Sequence, residues 1–101
     1  MLGVFLVLNR EEEESINSSL DYYIQTLKPT EKPIYQMAKR KINEGAVLDG
    51  MFMRCIENSL HFESKQTKNE NKKLVCKQLA KDIEKKRLEF QYSSIQHLRL
   101  G

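Results

Sequence analysis

The sequence predicts a mainly helical fold, a compact bundle of about four helices forming one domain over residues 1–101, and three observations carry it. Apolar residues recur at spacings of three and four in four separate stretches, the period of one face of an α-helix. Start and stop signals separate the stretches: Asn9, Thr30, Asp49 and Thr67 in front, Pro29 and Gly45 behind. A chain of 101 residues that is 40% hydrophobic and 31% charged, with only four Gly and two Pro, can bury roughly 65% of its surface and is not built like a disordered linker. Ahead of the first helix, the apolar segment 2–8 is a candidate short β-strand that would pair with the C-terminal tail; the fold would then be α+β.

Asn9 with Glu12 three residues on reads as a capping box, so the first helix is expected to start at Arg10. Glu11 to Glu14 then fill its first turn, where free N–H groups and the helix dipole favour carboxylates. Ile16, Leu20, Tyr23, Ile24 and Leu27 form its apolar stripe, Tyr22 points away from it, and Pro29 ends the helix. Thr30 is the expected cap of the second helix, with Pro33 in the first turn, Ile34, Met37, Ala38 and Ile42 on the buried side, and Asn43-Glu44-Gly45 as the stop.

The third helix begins between Ala46 and Gly50, with Asp49 a possible cap. Leu48, Met51, Phe52, Cys55, Ile56, Leu60 and Phe62 spread over an arc of roughly 200°, leaving Arg54, Glu57, Asn58 and His61 on the far side. A helix so apolar is either the centre of the fold or half of an intermolecular interface. The polar run Glu63–Asn69 reads as a loop, and Thr67 with Glu70 as a second capping box opening the fourth helix. There Val75, Cys76, Leu79, Ala80, Ile83 and Phe90 share one side, and Lys73, Lys77, Lys81 and Lys85 wind across the other. Lys86 and Arg87 fall within the apolar arc, and Leu88–Tyr92 alternates as a strand does, so the helix either outruns the body it packs on or stops near Lys85.

The chain carries +3 overall but unevenly: two basic and five acidic groups in residues 1–29 (−3), five and four in 30–60 (+1), ten and five in 61–101 (+5). Either the acidic and basic ends pair internally, which is preferred, or a basic surface faces something acidic. Cys55 and Cys76 have no Cys or His at ligand spacing, which predicts reduced thiols rather than a disulfide framework or a zinc site. The segment 2–8 lacks a basic flank and a cleavage site and is too short to span a bilayer, so the expected location is cytoplasmic, without membrane attachment. The Asn17-Ser18-Ser19 sequon falls inside a helix and reads as chance. A composition rich in Lys and Asn and poor in Ala is what an AT-rich genome encodes, phages and mobile elements among them.

No constellation in the sequence assembles into a catalytic centre. Glu57 and His61 share a helix face at a spacing that suits half a metal site, but no second ligand pair accompanies them. Both cysteines fall on apolar faces, where a thiol packs rather than reacts. No glycine-rich loop is present to cradle a phosphate, and the segment around Gly45 departs from a helix-turn-helix because its second helix is apolar almost all round. The chain is therefore expected to be a non-catalytic protein–protein interaction module, a regulator, inhibitor or assembly subunit that binds a protein partner or a second copy of itself, with Val4, Leu6, Met51, Phe52 and Ile56 as contact residues. The second expectation is a nucleic-acid-binding accessory protein that uses Lys73, Lys77, Lys81 and Lys85. Neither requires a cofactor, a metal or a small-molecule substrate. Surplus apolar side chains, among them Tyr22, Met53, Leu74 and Tyr92 pointing outward, add to the first.

Overall fold

A computed structural model describes residues 6–45 and 48–100, the side chains of 93–100 excepted. Four helices follow one another: α1 (Arg10–Ile24), α2 (Lys32–Glu44), α3 (Gly50–Gln66) and α4 (Glu70–Leu100). Among the described residues no strand is present.

The capping box at the front of α1 forms as read: the Asn9 side chain accepts from the Glu12 N–H at 2.8 Å, and the Glu12 carboxylate accepts from the Asn9 N–H at 3.0 Å. α2 ends at Gly45, whose φ of 68° is the left-handed conformation that closes a helix without Cβ strain. Asp49 caps α3 by accepting from the Phe52 N–H at 3.0 Å. Two caps differ from expectation. Glu31, not Thr30, precedes α2, making no side-chain cap, and Pro33 sits in the first turn, where its missing N–H costs nothing. Asn69, not Thr67, caps α4, accepting from the Lys72 N–H at 3.1 Å, while Thr67 Oγ1 accepts from the Asn69 N–H.

α3 is the centre of the bundle. It packs on α4 most extensively and also on α1 and α2, whereas α1 barely touches α4. Met53, Ile56 and Leu60 of α3 meet Ile16 and Leu20 of α1, Ile42 of α2, Leu48, and Cys76, Leu79, Ala80 and Ile83 of α4 in one core. Enclosure on three sides explains three corrections. Met53 is fully buried rather than outward, Glu57 is buried rather than on the solvent side, and the supposed loop at Glu63 and Ser64 is a buried turn of α3. At one end of the bundle Phe62 packs on Tyr22 and Tyr23 with ring centroids 5.4 and 5.0 Å apart, and Tyr23 meets Tyr35 edge-on at 5.2 Å. Tyr22 is thus only half turned away from the body.

α3 and α4 run antiparallel, as three contacts along them show: Glu63 with Lys72, Glu57 with Arg87, and Gly50 against the Gln91 side chain. Gly50 opens α3, so residues 92–100 of α4 continue past the helix they pack on. With 31 residues α4 is roughly 46 Å long, close to the 48 Å long axis of the molecule. The tail from Leu88 onward is therefore helix, and its alternation over five residues is too short a pattern to outweigh continuous i→i−4 bonding. Strand pairing between the tail and the N-terminal segment has no support among the described residues. Leu6 and Leu8 lie without strand structure against the core, and residues 1–5 lie outside the described region.

Candidate interaction surface

Of the contact residues expected from sequence, the four that the structure describes do not form one exposed surface. Ile56 is fully buried, and Leu6 and Phe52 pack against the core, Phe52 with the Lys41 ammonium 5.3 Å above its ring. Met51 is 58% exposed, and Val4 lies outside the described residues. The apolar arc of α3 is consumed by three neighbouring helices, which leaves Met51 as the only large apolar side chain of α3 that is mainly exposed.

The long exposed surface belongs to α4. At about 100° per residue, Leu74, Gln78, Lys81, Lys85, Leu88 and Tyr92 fall within roughly 40° of one direction. All six are exposed, Leu74 and Tyr92 to 63% and Leu88 to 49%. Alongside, α3 and α4 form an open groove of about 700 Å³, to which Lys65 and His61 of α3 and Lys73, Leu74, Lys77 and Lys81 of α4 contribute, with Glu84 its one carboxylate.

The salt bridges among the described residues are Arg10–Glu14, Lys39–Asp21, Lys72–Glu63 and Arg87–Glu57. None of them engages Lys65, Lys73, Lys77, Lys81 or Lys85, and none joins the acidic α1 to the basic α4. The acidic and basic ends meet without a salt bridge among the described residues: Glu12 of α1 lines the same surface cavity as Lys85 and Lys86 of α4. Glutamates interspersed on α4 do not pair with its lysines either; Gln78 instead donates to Asp82 at 3.0 Å. The lysines expected for a polyanion site therefore stand together on α4 without a salt bridge, Lys73 half-buried and the other three exposed.

The residues considered for chemistry are dispersed. Glu57 and His61 do not act as a pair of ligands: His61 is exposed, and both carboxylate oxygens of Glu57 are held by Arg87. Cys55 and Cys76 are buried in the core. Burial, with Asp49 nearby, pushes the Cys55 thiol up to about 11, and burial raises Cys76 as well, although the Ser19 hydroxyl opposes the shift. A thiolate is the nucleophile, so both are poor ones. At about pH 8 in the folded protein, iodoacetamide is expected to modify both roughly a hundredfold more slowly than in urea, because reaction must await opening of the bundle. A cysteine alkylated at the same rate in both conditions would show an accessible, activated thiol instead.

Sequence reasoning missed Leu88, placed in a supposed strand, and the pairing of Glu57 with Arg87. Signals for both exist. Leu74, Lys81 and Leu88 are spaced by seven, and a lone Arg inside an apolar arc calls for a carboxylate on the facing helix. Comparison with known proteins finds no matching family model, no similar curated protein and no similar solved structure. No helix among the described residues is long and apolar enough to cross a membrane.

Proposed function

We propose that this chain is a non-catalytic helical interaction module that holds a protein partner along the exposed face of α4 and the groove beside it. One observation carries this: Leu74, Leu88 and Tyr92 stand in water on the same face as Lys81 and Lys85, neither of which makes a salt bridge. Large apolar side chains aligned on one helix face and rimmed by charge are the composition of a surface that is covered on binding. The contact set moves from the one expected on α3 and the N-terminal segment to α4, while the class of function stays the same. Nucleic acid is the second reading, favoured by Lys73, Lys77, Lys81 and Lys85 recurring every fourth residue, about 6 Å apart, without ion pairs.

The test is a pull-down with the tagged full chain from its own source, with and without nuclease, run beside Leu74→Asp/Leu88→Asp. A stoichiometric protein that survives nuclease and is lost with the double variant supports the module. Bound material that disappears with nuclease, and whose binding falls steeply with salt, replaces it with the second reading.

A further inference from the structure

The α4 face has an order along its length, and the order specifies an occupant. Leu74 stands at one end, Lys81 and Lys85 in the middle, Leu88 and Tyr92 at the other, over roughly 27 Å. Lys77 and Lys65, on the groove side, add to the positive middle and outnumber Glu84, the one carboxylate there. Given that this face is the binding surface, as proposed above, we infer that its occupant is an acidic amphipathic helix of a different protein, with carboxylates on its central turns and apolar residues about two turns to either side. A helix laid along α4 satisfies all of the face at once: its carboxylates meet the lysines, and its apolar ends cover the leucines and Tyr92.

Two other occupants fit less of it. A phosphate backbone engages only the lysines and leaves Leu74 and Leu88 uncovered, so half of the face contributes nothing to holding it. A second copy of this chain meets like charge. Two α4 helices crossing antiparallel at this face set the Lys81 and Lys85 of one against the Lys85 and Lys81 of the other, four ammonium groups in one contact. The acidic start of α1 supplies carboxylates but no apolar partner, because Ile16 and Leu20 behind it are fully buried. Each alternative leaves either the leucines or the charge unmatched.

The probes are three: a capped helical peptide of about 22 residues with central glutamates and leucines about two turns to either side, the same peptide with lysines for glutamates, and an oligothymidylate. Each is titrated by fluorescence anisotropy against the wild-type chain, Lys81→Glu/Lys85→Glu, and Leu74→Asp/Leu88→Asp. Both variants change exposed side chains, and circular dichroism confirms their folding. The expected result is that the wild type prefers the glutamate peptide, that Lys81→Glu/Lys85→Glu weakens it about tenfold or more and gains the lysine peptide, and that Leu74→Asp/Leu88→Asp weakens the glutamate peptide. Failure of the glutamate peptide to bind, or indifference of its binding to charge reversal, overturns the inference. Preference for oligothymidylate, lost on charge reversal, overturns the acidic helix but keeps the face as the binding surface. If neither variant changes the binding of any probe, the face itself is wrong and the proposed function falls with it. A concentration-dependent dimer in sedimentation that Leu74→Asp/Leu88→Asp abolishes assigns the face to a second copy instead.

Discussion

Replacing Arg87 with alanine is expected to destabilise the fold by roughly 3–5 kcal/mol, the cost of leaving a buried carboxylate without its counter-ion. In the folded chain Arg87 Nε donates to Glu57 Oε2 at 2.5 Å and Nη2 to Oε1 at 3.2 Å, while Nη1 donates to Gln91 Oε1 at 3.2 Å. The two side chains are only 10% and 5% exposed. The hydrogen-bonded Glu57 raises Arg87 further above its already high range, so the guanidinium keeps its charge at any pH the protein meets. Removing the guanidinium strands Glu57 between α3 and α4, and the expected fall in melting temperature is roughly 12–25 °C for a domain of this size. Replacing both partners by apolar residues, Glu57→Leu/Arg87→Met, is expected to restore most of the loss, because neither charge then has to be desolvated. Thermal melts followed by circular dichroism measure all three. An Arg87→Ala protein that melts within a few degrees of wild type would show that water reaches Glu57 and that the pair contributes little.

The second large effect is expected from Ile56→Ala, about 3 kcal/mol within the usual range of roughly 2–5 for deleting a fully buried branched chain. Ile56 is completely enclosed in the core that α3 forms with the other helices. The surrounding side chains come from different elements and collapse only partly into the space, so a cavity term adds to the lost transfer energy. Urea titrations at two protein concentrations a decade apart distinguish this role from the contact role expected from sequence. A core residue loses the same stability at both concentrations. An interface residue loses a stabilisation that itself depends on concentration, because association stabilises by mass action. A concentration-dependent loss would return Ile56 to the interface.

The elements whose cause is local were legible in the sequence. Asn9 and Glu12, three residues apart, form the capping box that starts α1, and Asp49 caps α3 in the same way. Gly45 closes α2 because only the few residues around it need a left-handed conformation. Local signals also compete: Thr67 ends α3 and accepts only from the Asn69 N–H, while Asn69, directly before Glu70, accepts from the Lys72 N–H and is the cap. The lysines of α4 were legible as a set too, and the fold keeps them together. What the periodicity of a single helix does not contain is its neighbour. Glu57 has the sequence context of a solvent-facing residue and lies in the interior, because Arg87, 30 positions later, faces it across the α3–α4 contact. The same holds for Met53, which is outward on the α3 wheel only until a third helix covers that side.

By itself, then, the sequence determined that four helices form, close to where each begins and which of their stripes are apolar, since capping and 3.6-residue periodicity act within a few residues of chain. Tertiary structure decided how the surplus apolar surface was divided. Three helices closing around α3 took Ile56 and Met53 into the core, and no element covered the face of α4 on which Leu74, Leu88 and Tyr92 stay in water beside lysines without salt bridges. The physical reason is that burial belongs to a pair of surfaces: a side chain leaves water only when another element arrives to cover it.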